Sequence, residues 1–144
     1  MNSIEKNVEI ESRKILLSTV WIFAMLNYIY CDIIGYMDVE LLRRMISGDI
    51  LPFPTSQEFW LGMAIMMEIP IAMVLLSRVL EHRANRWANI IAGVVMTMAQ
   101  IASNFVGAPP TLHYIFYSVV EIASTVFIVV YAWRWRKPDT KAGV

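Results

Sequence analysis

Asp32, Glu68 and Glu121 are the residues best placed to do chemistry in this sequence, because each interrupts a long apolar run. An ionisable side chain near the centre of a bilayer costs about 2.5 to 3.5 kcal/mol on insertion scales, so these groups are expected to turn inward. Glu68 and Glu121 fall at similar depth on helices of the same direction, whereas Asp32 and Asn104 lie nearer the outer ends of theirs. The spacing predicts one polar cavity, open outward, with Glu68, Glu121 and Asp32 as its titrating groups. Two carboxyls facing one small space resist carrying two charges at once, which points to proton-linked chemistry.

Other polar residues fall in step with these. Tyr114, Tyr117, Ser118, Glu121, Ser124 and Thr125 share one helical face by three- and four-residue steps. Gln100 and Asn104 share another, with Thr97 nearby; Tyr28 lies one turn below Asp32, while Asn27 is rotated away from both. The expected polar lining is therefore Gln100, Asn104, Tyr117, Ser118, Asn27 and His113, the last two turns from Glu121. Pro70 removes a backbone donor and frees the carbonyl of Met66 beside Glu68. Against this stands a plainer reading, in which buried Asn, Gln and protonated Glu serve as interhelical hydrogen-bond glue worth about 0.6 to 2 kcal/mol each. For Asn27 and Gln100 that plainer reading is preferred.

Several chemistries are not expected. A single cysteine, Cys31, excludes an internal disulfide and a cysteine-built metal site, and reads as a small packing residue. His82 and His113 lie at opposite ends of the spans, and the ten methionines show no ligand pattern, so neither a metal nor a cofactor is expected. No phosphate-binding glycine loop or nucleophile elbow occurs, which argues against an enzyme of those kinds. Zero net charge leaves no basic field for nucleic acid.

The elements that must position the acids follow from hydropathy. The chain is 58% hydrophobic and 17% charged over 144 residues, too apolar for a water-facing domain of this size. A bilayer core needs about 20 apolar residues in helical form. Four runs qualify, at 15–37, 59–77, 87–106 and 112–133. Thr55 and Glu58 form a capping-box pattern before the second run; Gly107, Pro109 and Pro110 break the third, and Thr111 caps the fourth. The last two helices must then be antiparallel neighbours.

Lysine and arginine set the direction of insertion. Lys6, Arg13, Lys14, Arg78, Arg83, Arg86, Arg134, Arg136, Lys137 and Lys141 fall on one side, and only Arg43 and Arg44 on the other, which places both termini in the cytoplasm. Tyr131, Trp133 and Trp135 at one interface and Trp60 at the other suit aromatic belts. In the loop 38–58, Val39, Leu42, Met45 and Ile46 recur at helical spacing, as in a helix lying on the outer surface, until Gly48, Pro52 and Pro54 end it. Glu5, Glu9 and Glu11 spoil a basic n-region, so a cleaved signal is not expected. The expected organisation is a cytoplasmic segment 1–14, a transmembrane domain 15–137 and a short polar tail 138–144. The fold class is all-α, an integral membrane four-helix bundle with a weak parallel two-helix repeat that aligns Gly35 with Gly107 and Glu68 with Glu121.

The run Glu68-Ile69-Pro70-Ile71-Ala72-Met73, then Arg78 and Arg83-Ala84-Asn85-Arg86-Trp87-Ala88-Asn89, resembles a family of small uncharacterised bacterial and archaeal membrane proteins grouped as a domain of unknown function. The likeness covers roughly residues 16–135 and implies four spans in a cytoplasmic membrane, with no activity and no catalytic residues. By size and span count the chain is also loosely similar to DoxX-type four-helix membrane proteins. Three functions fit the residues: a proton-linked carrier of a small molecule, working as a homo-oligomer; an intramembrane enzyme or binding protein for a lipophilic ligand; and a non-catalytic subunit or scaffold. The lipid bilayer is a partner in all three.

Overall fold

In a computed structural model, which describes residues 3–49, 51, 56–107 and 109–135, the chain is all-α. Five helices are present among the described residues and no strand: α1 Ser3–Met37, α2 Val39–Ser47, α3 Gln57–Val79, α4 His82–Ser103 and α5 Leu112–Arg134. Three of them, α1, α3 and α5, are long and apolar enough to cross a membrane. The expected third span is displaced toward the N-terminus, which makes the helix more polar than the run 87–106. α4 begins in the basic stretch at His82, carries Asn85, Asn89 and Gln100, and stops at Ser103, leaving Phe105 and Val106 outside it. Pro52, Pro54, Thr55 and the tail with Arg136, Lys137 and Lys141 lie outside the described residues.

Helix ends follow local chemistry. Asp38 caps α2 by accepting from the amides of Glu40 and Leu41, and Gly48 ends it in the left-handed region at φ 79°. Ser56 caps α3, accepting from the Phe59 amide. Thr111 caps α5, accepting from the Tyr114 amide as expected. Residues 3–14, expected to precede the first helix, are its first turns, with Glu9–Arg13 and Glu11–Lys14 pairs along its surface.

α1 packs against α3 and α5, and α5 against α4; α3 and α4, joined by a two-residue turn, touch least of these pairs, and α2 rests on α1. Gly93 explains the closeness of α4 and α5, since a Cβ there would meet Val129 Cγ2 at 2.7 Å and the Thr125 carbonyl oxygen at 3.2 Å. The core holds Leu17, Trp21, Ala24 and Tyr28 of α1, Met73 of α3, Ala92 and Met96 of α4, and Ile128 of α5.

Near the α3–α4 turn, α1, α3 and α4 share a buried polar cluster. The Trp21 indole donates to Asn89 Oδ1 at 2.7 Å, and Ser77 Oγ donates to the same oxygen at 3.2 Å. Asn89 Nδ2 donates to Asn85 Oδ1 and to the Asn85 carbonyl, and Asn85 Nδ2 donates to the Ser77 carbonyl at 2.6 Å. Ser18 donates to the Val74 carbonyl beside it. Asn85, Asn89 and Ser77 are fully buried and every one of these polar contacts is matched, so the cluster is a clamp that fixes α3 and α4 to α1.

Candidate functional site

Away from that clamp α3 and α4 part, and the space between them is a cavity of about 710 Å³. Its walls are apolar and soft: Phe59, Trp60, Met63, Met66 and Met67 from α3 face Met96, Ala99 and Ala102 from α4. Leu41 of α2, Leu51 and Pro109 and Pro110 border the mouth. Tyr28, Cys31 and Asp32 of α1 and Tyr114 and Glu121 of α5 supply the back. Among the described residues no lysine, arginine or histidine lines it.

Two groups at the back are unusual. Glu121 is 1% exposed and its Oε1 has no hydrogen-bond partner. Tyr28 is 8% exposed and its hydroxyl has none either. Buried polar atoms are paired in the great majority of cases, so two orphans in one cavity are an unmet demand for a ligand's polar atoms or for water. The neighbouring polar groups are already committed: Gln100 donates to Ser118 Oγ at 2.8 Å, and the Tyr114 hydroxyl donates to Ser103 Oγ at 2.7 Å. Deeper in the same helix pair Thr97 donates to Thr125 Oγ1, and Thr125 to the Glu121 carbonyl. Within the polar stripe of α5, Glu121 carries a buried side-chain atom without a partner among the described residues.

The structure brings Asp32 and Glu121 to this cavity, with Gln100 on its wall and Ser118 behind Gln100. It does not bring Glu68 there. Glu68 is exposed and has no partner among the described residues. Its face of α3 also carries Leu61, Ile65, Leu75 and Val79, each more than 60% exposed, while Pro70, Met73 and Ser77 point the opposite way into the core. Met66 and Met67 line the space and Glu68, turned about 160° from Met66, does not. The expected two-glutamate pair is thus replaced by Asp32 with Glu121.

Four other expected lining residues are elsewhere. Asn27 Nδ2 donates to the Phe23 carbonyl of its own helix, and Asn104 Nδ2 to the Gln100 carbonyl of its own. His113 shares a hydrogen bond with the Thr111 hydroxyl, against the backbone of Gly35. Tyr117 is half-buried outside the cavity. Cys31, read as a packing residue, is 6% exposed and lines the cavity beside Asp32. Tyr28 and Tyr114, in helical register with Asp32 and Glu121, also line the cavity, although neither is among the expected lining residues. No group of three or more metal-ligating side chains occurs among the described residues.

The family of unknown function DUF6326 matches residues 5–142. The chain belongs to that family. No curated protein matches the chain. No solved structure matches it either. The family match covers the clamp, the cavity and all five helices, and the looser likeness to DoxX-type proteins is not carried by it.

Proposed function

We propose that this DUF6326 protein is an integral membrane protein that binds a lipophilic small molecule in the cavity between α3 and α4. In this reading all four long helices cross a bacterial or archaeal cytoplasmic membrane as a bundle with both termini inside. α4 crosses although it is too polar to qualify by composition, because its asparagines are buried in the clamp and Gln100 is bonded to α5. α2 lies at the outer surface with Val39 and Ile46 turned outward and Leu41 over the cavity. The observation that carries the proposal is the pair of unpartnered polar atoms, Glu121 Oε1 and Tyr28 Oη, at the back of an otherwise apolar space. A ligand with an apolar body and one polar group matches that arrangement. The sparse packing of α3 on α4 leaves a way in from the acyl chains.

Native mass spectrometry of the protein released from lipid nanodiscs tests this. A copurified small molecule is expected on the natural chain and absent from Ala99→Trp, whose indole would occupy the cavity. A natural chain with no bound mass, and identical spectra for the two, would overturn the proposal.

A second reading has one observation in its favour: Asp32 and Glu121 border the same cavity, as a proton-linked carrier requires. Carriage would add ligand release on both sides to the binding described above. Uptake into proteoliposomes driven by a proton gradient separates carriage from binding.

A further inference from the structure

The cavity has a charge preference that the proposed binding of a lipophile leaves open. Five groups that can gain or lose a proton face it, Tyr28, Cys31 and Asp32 from α1 and Tyr114 and Glu121 from α5. α3 and α4 contribute none, and no basic side chain among the described residues lines the space. Every one of these five becomes more negative on losing its proton, and none can supply positive charge. Arg43 and Arg44 of α2 are exposed and paired with Glu40 at 3.0 and 3.3 Å, and His113 is engaged with the Thr111 hydroxyl without lining the space itself. Among the described residues no basic group lines the cavity as a countercharge to Glu121, although a buried carboxylate needs one.

The walls favour the same sign. Four aromatic side chains line the space, Phe59 and Trp60 from α3 and Tyr28 and Tyr114 from the back, and aromatic faces attract a desolvated cation. Met63, Met66, Met67 and Met96 add polarizable thioethers that adapt to an irregular shape. An anion would meet the two carboxyls.

We infer that the ligand is a lipophilic cation, held with its charge against Glu121 and Asp32 and its apolar body among the aromatic and methionine side chains of α3 and α4. This rests on the cavity being a ligand site at all. Glu121 is the inner counter-ion and Asp32, exposed and nearer the mouth, the outer one. A cation entering between α3 and α4 would pass Met67 and Trp60 on its way to Glu121.

Three probes of similar bulk decide it: tetraphenylphosphonium, its charge-reversed counterpart tetraphenylborate, and neutral triphenylphosphine oxide. Each is measured by equilibrium dialysis against the full chain in nanodiscs, with empty nanodiscs subtracted. Saturable binding of tetraphenylphosphonium is expected, with none of tetraphenylborate. Glu121→Gln should weaken the cation at least tenfold and the neutral probe much less, and Asp32→Asn should weaken the cation by less than Glu121→Gln does. Retained neutral binding shows that the Gln variant still folds. Equal affinity for cation and neutral probe, or a cation affinity unchanged in Glu121→Gln, would overturn the cation assignment and leave lipophile binding standing. Binding of none of the three would remove both.

Discussion

The indole N–H of Trp21 on α1 donates to Asn89 Oδ1 on α4 across 2.7 Å, and that oxygen also takes the Ser77 hydroxyl of α3. One side-chain atom therefore joins three helices at the end of the molecule where the cavity is closed. Asn89→Ala strands the Trp21 indole, Ser77 and the Asn85 amide oxygen in a buried space, at about 1 to 3 kcal/mol for each group left unsatisfied. A loss of roughly 2 to 4 kcal/mol is expected in denaturant unfolding in detergent, after partial relaxation. Trp21→Phe should cost less hydrogen-bonding energy, since Ser77 still serves Asn89. Equal stability of natural and Asn89→Ala proteins would show that the clamp does not hold the helices.

Gly93 is the contact point of α4 and α5. Gly93→Ala brings a methyl group to 2.7 Å from Val129 Cγ2, and the Thr125 carbonyl at 3.2 Å leaves little room to retreat. Overpacking of this kind costs about 1 to 3 kcal/mol. Gly93→Ala/Val129→Ala should recover part of the loss, which the same unfolding assay reads as non-additivity.

Glu68→Leu should raise the yield of inserted protein. The side chain is exposed on an apolar face of α3 without a partner among the described residues, so its removal ends an insertion cost of about 2.5 to 3.5 kcal/mol. Binding in the cavity should be unchanged, because Glu68 does not border it. Lower yield, or dissociation of a complex on native gels, would mean that another chain covers this face.

Cys31 reports on the cavity from within. It is the sole thiol, 6% exposed, and lies on the cavity wall. N-ethylmaleimide should modify it far more slowly than in denatured protein, and Ala64→Trp at the rim should slow it again. Equal rates with and without the indole would place the thiol's access route elsewhere.

Direction across the membrane is read by a membrane-impermeant maleimide in a Cys31→Ser background. Ser47→Cys on exposed α2 should label from outside intact cells, and Arg83→Cys only after lysis. The reverse pattern would invert the proposed orientation.

Much of this architecture is legible where the determinant is local. Gly107 and Thr111 mark the turn between α4 and α5 because a left-handed backbone at φ 88° and an amide-capping hydroxyl are properties of single residues. The stripe from Ser118 to Thr125 is legible for a related reason: polar residues on an apolar helix define a face. α3 offers no such contrast. It is apolar on all sides, so depth was readable for Glu68 but direction was not, and the cost of a lipid-facing acid was a poor guide to where it points. The cavity itself depends on how far α3 stands from α4, a distance set by the clamp through Trp21, sixty-eight residues before Asn89. Asn85 and Asn89 carried a usable hint in their four-residue spacing at the end of an apolar run.

Pro70 has no amide hydrogen to give the Met66 carbonyl, and it sits between two unlike stretches of α3. Residues 71–79 are fastened through the Val74 and Ser77 carbonyls, whereas residues 57–69 border open space. Bending is thereby concentrated at one pivot. A doorway of this build widens by swinging a single jamb on a fixed hinge post, so the arrival of a guest should register as a changed tilt of the outer segment over a stationary base.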